Sequence, residues 1–235
     1  MPGLRLTCAG FIALCLPLLT MPAAAAPVDP VDQARIEQDA VKAYVGKTQA
    51  ELQTASDRLV FQKTDALLHD AASAAIGNPN GDVTIVEFFD YNCPFSRMVE
   101  PRLEALLKSD PGVKLVLKEF TIEPQPSSPS AARAALAALK QGKYEAYHQI
   151  MMRITGHPLT VPEVFDDAQK AGLDVDQLRK DMEAPEIYSQ IIANFNLARA
   201  LRIYQTPTFI VGGHIVTDPS AQIDFPKLVA AARAK

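Results

Sequence analysis

Residues 83–91 read Val-Thr-Ile-Val-Glu-Phe-Phe-Asp-Tyr, a short β-branched and aromatic run. The chain enters it through Gly77-Asn78-Pro79-Asn80-Gly81-Asp82, a cluster of turn formers. Such a run reads as a buried central strand. It leads straight into Asn92-Cys93-Pro94-Phe95-Ser96 and a helical pattern to Lys108, with Met98, Val99, Leu103, Leu106 and Leu107 at apolar positions. Val113 to Ile122 predicts a second strand.

Further along, Pro124 to Pro129 reads as a loop and Ser130 to Arg153 as an Ala-rich helical stretch interrupted at Gly142. Val164–Ala171 and Val175–Met182 predict short helices around Gly172, and Ile187–Leu201 another. Thr208–Val211 is a strand, Gly212-Gly213 a hairpin turn and His214–Val216 its partner. Asp224–Ala234 closes as a helix. This order predicts an α/β fold: a mixed central sheet with helices on both faces and a helical insertion at about 128–202.

Upstream, residues 26–76 read as an N-terminal helical extension. Ile36, Ala40, Val41, Tyr44 and Val45, then Leu52, Leu59, Val60, Leu67 and Leu68, repeat at helical spacing. The break at Gly46-Lys47-Thr48 predicts at least two helices. The seam is not a clean heptad, which favours packing on the main domain over a coiled coil. The sharper alternative is an arm that joins chains into a homo-oligomer.

Composition enters through the cysteines. The 235 residues include three: Cys8, Cys15 and Cys93. Residues 1–25 read as a signal peptide, with Arg5, an apolar stretch from Leu6 to Leu19, and small residues Ala23 to Ala26 for cleavage after Ala25. Cleavage removes Cys8 and Cys15 and directs the chain to the periplasm. One remaining cysteine excludes an internal disulfide and a multi-cysteine zinc site. A formal charge of −4 leaves no general footprint for nucleic acid or anionic membrane. No later stretch reaches membrane-span length. His69, His148, His157 and His214 have no ligand spacing, so no metal is expected.

Cys93 falls where a buried strand gives way to a helix. The free N–H groups and dipole of a helix N-terminus stabilise a thiolate there and make it nucleophilic. Pro94 suits the first turn, which does not need its N–H. Ser96, three residues on, shares the helix face and is expected to turn its hydroxyl to the sulfur. A core cysteine would sit within the strand rather than at its C-terminal edge, where α/β sites form.

The segment Glu87-Phe88-Phe89-Asp90-Tyr91-Asn92-Cys93-Pro94-Phe95-Ser96 resembles the active-site segment of periplasmic DsbA-like thiol–disulfide oxidoreductases, which have a thioredoxin-like fold. Pro101 stands eight residues after Cys93, where such proteins place a helix-kinking proline. Gln205-Thr206-Pro207-Thr208-Phe209 resembles the family's cis-proline loop, and residues 130–152 its inserted helical domain. The resemblance covers about residues 60–233, and the thioredoxin domain itself is expected to span 77–235. It implies that Cys93 is the nucleophile and that Pro94, Phe95, Thr206 and Pro207 shape the docking of an extended substrate. It also implies a partly buried acid at Glu87 beneath the site, with Lys118 on the next strand as its partner.

The family pattern is C-x-x-C, whereas this chain has Ser96 at the second position. A single cysteine forms a mixed disulfide but cannot expel it internally. Release then requires an outside thiol, from the substrate or from a co-substrate such as glutathione. The tetrapeptide is also similar to the single-cysteine motifs of glutathione-dependent thioredoxin-fold proteins, which share this logic. The leading expectation is a periplasmic monothiol oxidoreductase or isomerase acting on exported client proteins that carry thiols or disulfides, alongside a redox partner. The alternatives are a redox-inactive peptide-binding or chaperone module, and a redox-responsive oligomeric scaffold.

Overall fold

The computed structural model describes residues 30–154, 156–218 and 222–234. The expected signal peptide, with Arg5, Cys8 and Cys15, lies outside the described residues. Helices α1 (Pro30–Gln62) and α2 (Thr64–Leu68) precede β1 (Ala74–Gly77), β2 (Val83–Phe89), α3 (Pro94–Ser109) and β3 (Val113–Glu119). Five helices follow: α4 (Ser127–Lys140), α5 (Tyr144–Met152), α6 (Val161–Lys170), α7 (Val175–Asp181) and α8 (Pro185–Ala200). The hairpin β4 (Thr208–Val211) and β5 (His214–Val216) leads to α9 (Phe225–Arg233).

The strands form one sheet in the order β1-β3-β2-β4-β5. Strands β2 and β3 are parallel, joined by α3 as a crossover, and the other pairings are antiparallel. Side-chain alternation divides the core between the two faces. Ile85, Phe89, Leu115, Leu117 and Phe209 pack with Val99, Leu103 and Leu106 of α3, Phe225 and Val229 of α9, and the alanines of α4. On the opposite face Val86, Phe88, Val116 and Ile210 pack with Val60, Leu67, Leu197 and Ala198. The expected insertion is built from α4 to α8, and a positive φ of 66° at Gly142 separates α4 from α5.

Several boundaries differ from the sequence expectation: α4 and α6 each start three residues early, at Ser127 and Val161, and three further differences follow. Ala74–Gly77, read as the end of a helical stretch, is instead an edge strand paired with β3. Its Ala-Ala-Ile-Gly composition carries no strand signal, and pairing decides the outcome. Helix α1 runs through Gly46 without a break. That glycine has open space around it, so its presence costs about 1 kcal/mol of helix propensity and disturbs no packing. Strand β3 ends at Glu119, three residues before the expected Ile122.

The chain divides by contacts between Gly46 and Lys47. Within the first unit the described residues are helical, and Val41 and Val45 are exposed. The second unit holds the sheet and its helices. Among the described residues no helix is long and apolar enough to cross a membrane.

Candidate active site

Strand β2 ends beneath the site, and Asp90-Tyr91-Asn92 turns the chain into α3. Asp90 organises the turn although it is 2 % exposed. Its Oδ1 accepts from Asn92 N at 2.9 Å and Ser128 Oγ at 2.8 Å, and its Oδ2 from Glu123 N at 3.0 Å. Burial nevertheless raises its carboxyl above the usual carboxylate range, against these hydrogen bonds. The Cys93 N–H donates to the Asp90 carbonyl at 3.0 Å. Asn92 Nδ2 donates to Ser127 Oγ at 3.0 Å and Ser128 Oγ at 2.9 Å, while its Oδ1 accepts from Leu159 N at 2.7 Å. The turn is thereby tied to the start of α4 and to the insertion.

Cys93 is the N-cap of α3, with Pro94 in the first turn. Its thiol is buried and donates to the Thr206 carbonyl, with Sγ···O 3.2 Å. The Thr206–Pro207 peptide is cis. Cys93, Thr206 and Pro207 therefore meet across 113 residues of sequence. Pro94 and Phe95 are exposed beside them, as are Met98 and Tyr204. Ser96 does not act as expected. Its buried hydroxyl has no hydrogen-bond partner, Cys93 Sγ included.

The proposed pairing of Glu87 with Lys118 is corrected by the register. Glu87 stands opposite Leu117, whereas Lys118 stands opposite Phe88. Paired residues share a face and successive residues alternate, so the two charges lie on opposite faces of the sheet. Lys118 Nζ donates to Asp70 Oδ2 at 2.9 Å, Ser73 Oγ at 2.7 Å and the Ala66 carbonyl at 2.7 Å. Burial raises the Asp70 carboxyl, but bonds from Lys118, Gln190 and Ser73 outweigh it and hold the pKa at about 2.

Glu87 is fully buried and neither carboxyl oxygen has a hydrogen-bond partner. Burial, and then the charge of neighbouring Glu100, push its carboxyl well above the usual range. Glu100 Oε1 lies 3.4 Å from His148 Nε2, and His148 Nδ1 lies 2.9 Å from the Tyr91 hydroxyl. Tyr144 donates to Glu119 Oε1 at 2.7 Å, and burial raises Glu119 to a pKa of about 7. Buried ionisable groups thus link the sheet, α3 and α5 within the apolar core.

Sequence reading missed Asp90, Asn92, Arg97, Glu123 and Gln125. Two short polar residues at 90 and 92, between a strand and a helix, are a local signal for an Asx-type turn. Nothing local marks the other three, which meet only through the fold. A cleft of about 510 Å³ is lined by Asn92, Pro94, Arg97, Met98, Glu123 and Gln125, among others. Among the described residues no group of three or more His, Cys, Asp and Glu side chains could hold a metal ion.

A family model described as thioredoxin matches residues 69–231. A solved thioredoxin-like oxidoreductase from Silicibacter pomeroyi DSS-3 is 41% identical, with 73% of this chain and 98% of that chain covered and a TM-score of 0.67. The thiol:disulfide interchange protein DsbA of Bordetella parapertussis is 28% identical over 152 residues, 59% of this chain and 68% of that protein. The Na(+)/H(+) antiporter NhaA 3 of Salinispora tropica is 28% identical over 138 residues, 58% of this chain. The match spans 21% of the antiporter's length.

Proposed function

The chain belongs to the thioredoxin family, and from that premise we propose that it is a thiol–disulfide exchange protein working through one nucleophilic sulfur, Cys93. The contact between the Cys93 thiol and the Thr206 carbonyl carries the reading. It sets the only cysteine outside residues 1–25 at a helix N-terminus, against a loop whose backbone faces the sulfur. Cys93 would attack a substrate disulfide, form a mixed disulfide and release one substrate thiolate. The substrate's own thiol, or an external one, would attack that mixed disulfide and free Cys93.

With Ser96 in place of a second cysteine, the chain would reshuffle or reduce disulfides rather than donate one stored internally. Pro94, Phe95, Thr206 and Pro207 would guide an extended client segment to the sulfur. Glu87 would lie beneath the site as a neutral, buried acid, and Lys118 would serve the opposite face as a structural charge. The proposed setting is the periplasm, on the strength of the signal-like residues 1–25. Exposed Val41 and Val45 in the N-terminal helix suit an oligomerising arm, which native mass measurement tests.

Recovery of a scrambled disulfide substrate tests the proposal. The full chain bearing Cys8→Ser and Cys15→Ser should reshuffle it in the presence of trace thiol, and adding Cys93→Ser should abolish the effect. Equal recovery with and without Cys93 would favour the second reading, a peptide-binding module. The exposed Phe95, Met98 and Tyr204 beside the site are the observation that supports that alternative.

A further inference from the structure

One carboxylate fixes the two chain segments that meet at the sulfur. Asp90 Oδ1 accepts from Asn92 N at 2.9 Å and its Oδ2 from Glu123 N at 3.0 Å, so the residue before Cys93 and the loop after β3 are anchored to the same group. Cys93 N donates to the Asp90 carbonyl at 3.0 Å. This clamp brings the part-exposed Glu123 side chain to the cleft that Asn92 and Pro94, the sequence neighbours of Cys93, also line. There the Glu123 carboxylate accepts a hydrogen bond from the Cys93 thiol. Burial, then the charge of Asp90, raise its carboxyl above the usual range, and the bond from Cys93 opposes them.

The thiol proton therefore has two acceptors. The Thr206 carbonyl, with Sγ···O 3.2 Å, orients the S–H but is too weak a base to take its proton. The Glu123 carboxylate is able to take it. Glu87, buried in β2, has no hydrogen-bond partner on either oxygen, so it makes no bond to the sulfur. Contact with the reacting atom thus falls to a part-exposed acid on a loop rather than to the buried acid of the sheet. The other charged groups at the cleft are engaged elsewhere. Arg97 donates to the Tyr91 and His157 carbonyls, and His157 Nε2 lies 3.6 Å from Glu163.

We infer that Glu123 is a catalytic acid–base group of this site, taking the proton of the Cys93 thiol as the sulfur attacks and giving it to the client sulfur that leaves. The inference rests on the reading of Cys93 as the exchange nucleophile. The Cys93 S–H bond breaks, its proton passes to the Glu123 carboxylate, and the sulfur electron pair forms an S–S bond to one client sulfur. The client S–S bond breaks, and its electron pair leaves with the other client sulfur. The proton held by Glu123 then joins that sulfur, which departs as a neutral thiol. Glu123 ends as the carboxylate it was at the start. One client disulfide and one thiol have become one mixed disulfide and one thiol, so protons and electrons balance with no added oxidant or reductant.

The test uses the full chain with Cys8→Ser and Cys15→Ser, and times adduct formation at Cys93 by intact mass at pH 7. Two neutral disulfides are supplied in excess, in separate reactions. Hydroxyethyl disulfide expels a strongly basic alkyl thiolate, whose departure gains from a proton. Dipyridyl disulfide expels a weakly basic pyridinethiolate, which leaves without one. Glu123→Gln should lower the hydroxyethyl-to-dipyridyl rate ratio at least about tenfold. Glu123→Asp, which keeps the acid on a shorter stem, should lower it less. The Asp90 bond is to the Glu123 backbone and survives either substitution. A role confined to holding the loop would slow both reagents alike, so an unmoved ratio would overturn the inference while leaving Cys93 exchange standing. No adduct with either disulfide before Glu123 is changed would overturn both.

Discussion

Glu87 and Lys118 occupy neighbouring parallel strands yet face opposite sides of the sheet, Glu87 in register with Leu117 and Lys118 with Phe88. Glu87 consequently gains no cationic partner from Lys118, and burial, then the charge of Glu100, raise its carboxyl. The lysine instead binds Asp70, a residue before β1. The two charges have separate consequences.

Lys118→Met should destabilise the protein by about 3 kcal/mol at pH 7, near the low end for a broken buried ion pair because Asp70 is part exposed. Urea denaturation measures this. The Asp70 carboxyl is depressed to about 2, so its contribution is present above about pH 4 and lost as pH falls through 2. The gap between variant and wild type should therefore narrow in strong acid. Equal stability at pH 7 would contradict the assignment.

Glu119 titrates the other way. Its carboxyl is raised to about 7 by burial, so the folded state holds a proton that the unfolded chain has lost. Its stabilising share is complete below about pH 4.5 and falls away as pH rises to 7, a change of about 3 kcal/mol. Buried Glu87, also raised, adds a loss of the same sign. Glu119→Gln keeps an acceptor for the Tyr144 hydroxyl and should flatten this decline when unfolding free energies at pH 5 and pH 8 are compared. An unchanged slope would count against a proton on Glu119.

Asp90 holds the turn before Cys93 through two backbone N–H groups and the Ser128 hydroxyl. Asp90→Ala leaves those buried donors unsatisfied and should cost roughly 2–4 kcal/mol. It should also speed hydrogen exchange at the Asn92 and Glu123 amides, which NMR reads residue by residue. Protection unchanged at both amides would remove Asp90 from this role.

Ser96 Oγ is buried and unpartnered, three residues after the sulfur. Ser96→Cys should supply the missing second thiol. A Cys93 mixed disulfide in that variant should decay without added thiol, at least about tenfold faster than with serine at 96, because attack becomes intramolecular. Gel mobility of a trapped peptide adduct over time is the readout, and equal lifetimes would contradict it.

The chemistry-bearing residues were legible in the sequence where local rules fix them. A strand ending one turn before Cys93-Pro94 places that cysteine at a helix start, and the Thr206-Pro207 segment is a recognisable loop. The face of Glu87 was not legible, because alternation along one strand leaves the side open until its partner's register is known. Strand β1 escaped notice because Ala-Ala-Ile-Gly gains its strand character from pairing with β3. Arg97, Glu123 and Gln125 converge from a helix and a distant loop, so their shared cleft exists only in three dimensions.

The central claim is that Cys93 exchanges disulfides as a lone sulfur. Intact-mass analysis of the chain carrying Cys8→Ser and Cys15→Ser, mixed with a disulfide-bonded peptide, tests it most directly. The account predicts one peptide half per chain, linked at Cys93, which, once the released half is removed, persists until a thiol is added. No adduct, or an adduct that disappears without added thiol, would contradict it.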